Sequence, residues 1–195
     1  MRKKDKDNDI LDFFAEAGKL KRVKRSGWWM VGVPEEESVA DHSFRCSVIG
    51  YILAKMENAD ASRVMVMTLF NDFHEARIND LHKVAAQYVD LKKAEKKAFN
   101  DQIRDMDKPI KKDLAGLREE YDLQKTKESL IARDADILEC LIQAKEYVDA
   151  GITNAERFFK SGPKHLKTKS ACRLWRKVKT WNSSDWWERL GKFER

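Results

Sequence analysis

Three separated segments of the chain carry side chains of the types that bind metal ions. They lie at residues 41–42, 71–75 and 134–136 and contain histidine, aspartate, glutamate and asparagine. Imidazole nitrogen and carboxylate oxygen are good ligands for divalent transition metals. Such an ion lowers the pKa of water and neutralises phosphate oxygens, while a nearby carboxylate takes or steers the proton. If the segments meet, they predict a site that holds a divalent metal ion and activates a water molecule.

The middle segment follows a strongly apolar run at residues 64–70. We predict one helix that continues from this run to Arg77, because no turn residue occurs before Asn79. On a helix that turns by about 100° per residue, Asn71, Asp72 and Glu75 share an arc of roughly 100°. Acidic side chains at the end of a core helix are costly unless they are paired or bind a metal. This helix face is therefore a candidate site.

The pattern resembles that of the HD-domain phosphohydrolases, and within that superfamily the 5′-deoxynucleotidase branch of YfbR-like proteins. The segments that carry the resemblance are residues 37–42, 71–80 and 135–136, and it extends to 25–28, 143–147 and 185–187. The similar segments occur in order and span nearly the whole chain. The resemblance implies an all-α fold, a single HD-domain helical bundle, and an enzyme that hydrolyses nucleoside monophosphates.

The resemblance also implies a set of metal ligands. His42, Asp72 and Asp136 match ligands of the family, whereas Asn71 stands where the family has a histidine. A neutral amide oxygen is a weaker donor than an imidazole nitrogen. On the helical arrangement, His74 lies about 60° from Asn71 on the side away from Asp72, so it is not a replacement ligand.

Three interpretations of Asn71 remain open. A divalent transition metal such as cobalt or manganese binds through the other ligands and water, with Asn71 contributing its oxygen. Alternatively, the chain is a degenerate homologue that binds nucleotides without hydrolysing them. In the third interpretation it is a deliberately inactivated form that traps substrate.

Four further residues match catalytic and substrate-binding positions of the same family. Glu75 matches the carboxylate that orients or deprotonates the attacking water, and Asp80 matches a residue near the sugar and leaving group. Arg25 and Trp28 lie where the family uses a basic loop to hold phosphate and substrate. For Trp28 a role as a core anchor is the alternative. Taken singly, each of the candidate residues also fits an ordinary structural role.

The elements that must position these residues are predicted to be helices. Only 8 Gly and 3 Pro leave little room for tight turns. Ser38 and Asp60 are suited to begin helices, and Gly151 is suited to end one. Four tryptophans near the C-terminus are expected to dock that end onto the body. The predicted helices cover residues 9–20, 38–53, 60–77, 94–121 around Pro109, 126–150, 153–160, 168–180 and 184–192, with a loop at 21–34.

Length and charge limit the remaining possibilities. A chain of 195 residues suits one domain, which we place at 9–195 after a charged tail at 1–8. The sequence lacks an apolar run of membrane-spanning length and a signal segment, so we expect a cytoplasmic protein without membrane contact. The net charge of +6 fits an anionic ligand. We expect a nucleoside monophosphate, with nucleic acid a distant alternative, and the resemblance implies a homodimer.

Overall fold

The computed structural model describes residues 5–191 and is all-α, as predicted. Within these residues, backbone pairing of the β type is limited to one antiparallel bridge, between Lys24 and Ser38. Short 3-10 turns connect several of the helices. The α-helices are α1 Lys6–Lys19, α2 Ser26–Trp29, α3 Val39–Glu57, α4 Ala61–Phe70, α5 Glu75–Ile78, α6 Leu91–Gln102, α7 Lys108–Leu123, α8 Lys127–Asp149, α9 Phe158–Ser161, α10 Lys169–Val178 and α11 Asp185–Leu190.

Helices α3, α4 and α8 pack against one another at the centre of the bundle. Their contact faces are apolar, and Leu53, Val64 and Ile131 are completely buried there. The close approach of α3 to α4 depends on Gly50. A Cβ at this position would lie 3.1 Å from Cγ1 of Val64 and 3.2 Å from Cγ2 of Thr68. Since these are the helices that carry the candidate ligands, their tight packing fixes the geometry of the site.

The predicted helix starts are confirmed where a polar side chain caps the backbone. Ser38 accepts a hydrogen bond from the amide of Asp41, and the Asp41 carboxylate accepts one in return from the amide of Ser38. This capping box satisfies two amides that the helix itself cannot pair. Asp60 caps α4 and Thr126 caps α8 in a similar way. Beyond the end of α8, Gly151 has a φ of +95°, as expected for a helix terminator.

The prediction of one helix over residues 60–77 was wrong. Helix α4 ends at Phe70, the chain turns, and the short helix α5 begins at Glu75. Successive hydrogen bonds in this turn span three residues, such as Glu75 N to Asp72 O at 3.0 Å, instead of the four of an α-helix. Two smaller differences are that α1 begins at Lys6 and not at residue 9, and that the expected loop at 21–34 contains the short helix α2.

The C-terminal tryptophans behave differently from one another. Trp175 on α10 is buried and its ring lies 5.1 Å from that of Phe159. Trp186 and Trp187, on the six-residue helix α11, are 58% and 44% exposed. The expectation that these rings dock the C-terminus is met by Trp175, and for Trp186 and Trp187 it stays a prediction.

Two predictions concern the ends of the chain and its surroundings. Residues 1–4 and 192–195 lie outside the described range, so the division into a tail at 1–8 and a domain at 9–195 stays a prediction. No helix formed by residues 5–191 combines the length and the apolar character needed to cross a membrane.

Candidate metal centre and active site

His42, Asp72 and Asp136 meet at the centre of the bundle. His42 lies in the first turn of α3, Asp72 just after the end of α4, and Asp136 near the middle of α8. Nε2 of His42 is 3.4 Å from Oδ2 of Asp72 and 3.2 Å from Oδ1 of Asp136. One ligand atom from each residue lies within 4.8 Å of the other two, so that a single cation can contact all three. The three residues that the sequence indicated as ligands are therefore adjacent.

Glu139, which the sequence analysis missed, holds the other face of the His42 ring. It is fully buried one turn after Asp136 on α8, and its Oε2 accepts a hydrogen bond from Nδ1 of His42. Its second oxygen accepts from Nε of Arg45 at 2.9 Å. Because Nδ1 donates to Glu139, Nε2 is the nitrogen that faces the two aspartates. A carboxylate that fixes a histidine ring in this way is typical of metal-binding histidines.

The charges around His42 favour a cation between these side chains. Burial alone lowers the pKa of the imidazole, and Arg25 lowers it further, but Glu139, Asp136 and Asp72 outweigh both and hold this pKa well above its usual range. The same field that favours a proton on the ring favours a positive ion beside it. A metal-binding role thus fits the electrostatics as well as the spacing.

Asn71 and Asp72 are held by the turn between α4 and α5. Nδ2 of Asn71 donates to Oδ1 of Asp72 at 2.8 Å, which leaves Oδ2 of Asp72 facing His42. The backbone carbonyl of Asn71 accepts a hydrogen bond from Nη1 of Arg118 at 2.9 Å. Nη1 of Arg118 also lies 3.1 Å from Nδ1 of His74. His74 therefore faces α7, and not the metal ligands, as predicted. The amide of Asn71 borders the ligand cluster and orients one of its carboxylates.

Glu75 lies buried beside the ligand cluster. Its Oε2 has no hydrogen-bond partner among residues 5–191. Burial raises the pKa of Glu75 well above its usual range, and the negative charges of Asp72 and Asp80 raise it further. A buried carboxylate without a partner is expensive, and it accepts a proton more readily than an exposed one. This is the character that a general base requires.

Arg25 joins Asp72 to Asp80. Its Nη1 lies 3.4 Å from Oδ2 of Asp72, and its Nε lies 4.0 Å from Oδ2 of Asp80. The backbone holds this arrangement, since the amide of Arg25 donates to the carbonyl of Glu37 and the amide of Ser26 donates to Asp80 at 2.8 Å. Burial would lower the pKa of the guanidinium, but the surrounding carboxylates raise it well above its usual value. Arg25 therefore remains a fixed positive charge next to the ligand cluster.

The second oxygen of Asp136 is occupied by two donors. Oδ2 accepts from Nη1 of Arg133 at 2.7 Å and from the hydroxyl of Tyr121 at 3.3 Å. Oδ1 is therefore the atom left to face His42. Neither donor was predicted from the sequence, although Arg133 precedes Asp136 by one helical turn and so lies on the same face of α8.

A cleft of about 330 Å³ opens over this cluster. Its walls carry charges of both signs: Arg25 and Lys83 are positive, and Asp72 and Asp136 are negative. His165 also lines it. The combination of fixed cations and a metal-binding cluster suits an anion with several oxygens, such as a phosphate ester.

Trp28 does not line this cleft. It is 1% exposed, its Nε1 donates to Glu37 at 2.9 Å, and its ring packs 4.4 Å from that of Phe158. A ring buried this completely has no face to offer a ligand, so its position fits the core-anchor alternative. Phe158, which the sequence analysis did not single out, is the aromatic residue that borders the cleft.

Comparisons with known proteins show which family the chain resembles. A family model described as HD domain matches residues 17–175. The 5′-deoxynucleotidase HDDC2 of Dictyostelium discoideum is 32% identical over 150 residues, which cover 72% of this chain and 78% of that protein. The Homo sapiens protein of the same name is 30% identical over 141 residues, covering 72% and 69% of the two chains.

A solved structure shows the same fold. The conserved hypothetical protein from Pyrococcus furiosus is 33% identical, superposes with a TM-score of 0.74, and matches over 88% of this chain and 99% of its own. The family match covers most of the sequence and includes all three clustered ligands. The chain therefore belongs to the HD-domain family, and its relatives there include the 5′-deoxynucleotidases HDDC2.

Proposed function

We propose that this protein is a metal-dependent phosphohydrolase that removes phosphate from (deoxy)nucleoside 5′-monophosphates. The observation that carries the proposal is the meeting of His42, Asp72 and Asp136, of which the two aspartates line a cleft together with Arg25. The 5′-deoxynucleotidase names of the relatives support the same reaction.

The clustered residues fit a divalent transition metal. They offer one imidazole nitrogen and two carboxylate oxygens, a donor set that suits cobalt or manganese. His42, Asp72 and Asp136 would hold the ion, with the amide of Asn71 next to them as a fourth, weaker group. When bound, the ion lowers the pKa of water and neutralises phosphate oxygens.

The chain's own residues supply the remaining chemistry. Glu75 takes the proton of the attacking water on its unpartnered oxygen and returns it to the 5′ oxygen of the sugar as the P–O5′ bond breaks, so that phosphate and the nucleoside are released. Arg25 donates to the phosphate and offsets the charge that develops there. Asp80, which the amide of Ser26 holds beside Arg25, accepts a hydrogen bond from the sugar near the leaving oxygen.

Asn71 sets the strength of metal binding, and its replacement tests the proposal. Exchange of Asn71 for histidine should raise the affinity for manganese or cobalt and increase phosphate release, because imidazole is the better ligand. The matched control is Asn71→Ala, which removes the amide without adding a ligand and should not raise either quantity. If the parent protein binds nucleotides but releases no phosphate with any metal, it is the silent homologue or inactivated form, and the proposed reaction is refuted.

A homodimer is part of the proposal. Helix α3 presents Phe44, Val48 and Ile52 to solvent, all at least 48% exposed, beside an apolar groove of about 570 Å³. Surfaces of this kind usually mark protein contacts. Light scattering of the purified protein should give twice the chain mass, and Val48→Glu should reduce it to one.

A cytoplasmic location completes the proposal. Nucleotide substrates are formed in that compartment, and Cys46, Cys140 and Cys172 remain free thiols, as is usual in reducing surroundings. Cell fractionation with an antibody to the protein tests this directly; recovery with the membranes or outside the cell would contradict it.

A further inference from the structure

A second recess adjoins the cleft over the metal cluster. It has a volume of about 360 Å³, and Lys83, Phe158 and Ser161 line both spaces. A ligand that fills one space can therefore extend into the other. The two together are large enough for a small organic ligand of more than one part.

The two spaces differ in chemistry. The cleft carries the ligand cluster and Arg25, whereas the recess is walled largely by the apolar side chains of Met30, Val31 and Val84. An anionic group is stabilised in the first and a flat apolar group in the second. A nucleoside monophosphate has these two ends, a phosphate and a base, separated by one sugar.

The chain itself runs from one space to the other. Asp80 lies beside Arg25 at the phosphate end, and the residues that follow it, from Leu81 to Val84, form one side of the recess. This segment is braced by Nδ1 of His82, which accepts a hydrogen bond from the amide of Ala85 at 3.2 Å. A sugar next to Asp80 would leave its base at the recess.

Phe158 stands at the boundary as a half-buried ring. Trp28 supports it from beneath, with ring centroids 4.4 Å apart and planes inclined by 40°. A ring held in this way is oriented before a ligand arrives. Aromatic stacking accepts every base, because each base has a π face.

We propose that the recess beside the cleft binds the nucleobase of the substrate, stacked on Phe158, with Lys83 between base and phosphate. This inference rests on the proposed phosphohydrolase function. It assigns the buried Trp28 the task of supporting the stacking ring. It also makes the apolar residues around the recess the determinants of preference for nucleotides over smaller phosphate esters.

The test compares a substrate with a base and one without. Phosphate release is measured from deoxyadenosine 5′-monophosphate and from deoxyribose 5-phosphate, with manganese present. Phe158→Leu removes the stacking ring but keeps an apolar side chain, and should lower kcat/KM for the nucleotide by roughly tenfold. The loss for deoxyribose 5-phosphate should be much smaller. Equal losses on both substrates, or none on the nucleotide, would overturn the assignment.

Two further variants guard the result. Phe159→Leu is the matched control, since that ring packs on Trp175 away from the recess, and it should leave the nucleotide rate unchanged. Val84→Trp narrows the recess from an exposed position that folding tolerates, and should weaken nucleotide turnover as Phe158→Leu does. Unchanged turnover in Val84→Trp would contradict the proposal.

Binding of deoxyadenosine alone separates this inference from the proposed reaction. The nucleoside lacks a phosphate, so calorimetry measures occupation of the recess even if the protein hydrolyses nothing. Binding that weakens about tenfold in Phe158→Leu would support the recess as the base site while leaving the reaction to its own test. Absence of nucleoside binding to the parent protein would reject the base site even if phosphate is released.

Discussion

Replacement of Glu139 by glutamine should weaken metal binding although this residue is not a ligand. The two oxygens of Glu139 each accept one hydrogen bond, from Nδ1 of His42 and from Nε of Arg45. A glutamine amide has only one oxygen, so one of the two donors would face an NH₂ group. The side chain is completely buried, and water cannot replace the lost bond.

The expected loss follows from the position of Glu139 behind the ligand. Removal of a carboxylate that orients a metal-binding histidine typically costs 10–100-fold in affinity, or about 1.4–2.8 kcal/mol. Because Glu139→Gln also removes a negative charge next to His42, we expect a value near the upper end. Stability without metal should also fall, by about 1–3 kcal/mol for the unpaired buried group.

Calorimetric titration of manganese into the metal-free protein measures the affinity, and urea unfolding measures the stability separately. Glu146→Gln is the matched control, because Glu146 contacts Nη1 of Arg45 at 2.7 Å and is not among the groups around His42. This control should bind manganese within about threefold of the parent protein. Equal affinities for the parent, Glu139→Gln and Glu146→Gln would refute the idea that Glu139 positions the ligand.

Three other predictions concern stability and are all measured by urea unfolding. Asp134 accepts hydrogen bonds from two backbone amides and a hydroxyl at the start of α10, so Asp134→Ala should cost about 2–4 kcal/mol, and a loss under 1 kcal/mol would contradict that role. Gly50→Ala should cost about 1–3 kcal/mol, because its Cβ would press on Val64 at the crossing of α3 and α4; an unchanged midpoint would show that the helices separate freely. Burial would raise the pKa of Glu16, but hydrogen bonds from Arg77 and Gln102 lower it overall. Ionised Glu16 therefore stabilises the fold above its unfolded pKa, and this stabilisation is lost as the pH falls through the folded pKa. Glu16→Gln should therefore lower the free energy of unfolding at neutral pH and make it depend less on pH in the acid range. If the free energy of the variant falls with pH as steeply as that of the parent protein, the ion pair between Glu16 and Arg77 does not stabilise the fold.

The sequence predicted the helices and the ligand cluster because both depend on local or motif signals. Ser38 and Asp60 indicate helix starts because their side chains cap the backbone. The separated motifs at residues 41–42, 71–75 and 134–136 carry the family pattern. Glu139 was within reach of the same reasoning. It lies one turn after Asp136 on one face of α8, and a carboxylate on a buried face requires a partner.

The turn between α4 and α5 was not predictable from local sequence. Residues 71–74 contain neither glycine nor proline, and a helix through them satisfies every local rule. The turn is stabilised by Arg118, which is 47 positions away and donates to the carbonyl of Asn71. The recess beside Phe158 was hidden for a similar reason, since it forms only where three distant segments meet.

The hydrogen bond from Arg118 to the backbone carbonyl of Asn71 connects the charge-rich helix α7 to the turn that carries a candidate ligand. Nη2 of Arg118 also lies 3.1 Å from Oε2 of Glu95, so that this one side chain contacts both α6 and the ligand-bearing turn. A substitution that shifts α7 should therefore move the turn that carries Asp72, because Arg118 of α7 donates to the backbone carbonyl of the preceding residue, Asn71. The position of one candidate ligand thus depends on packing that lies outside the cleft.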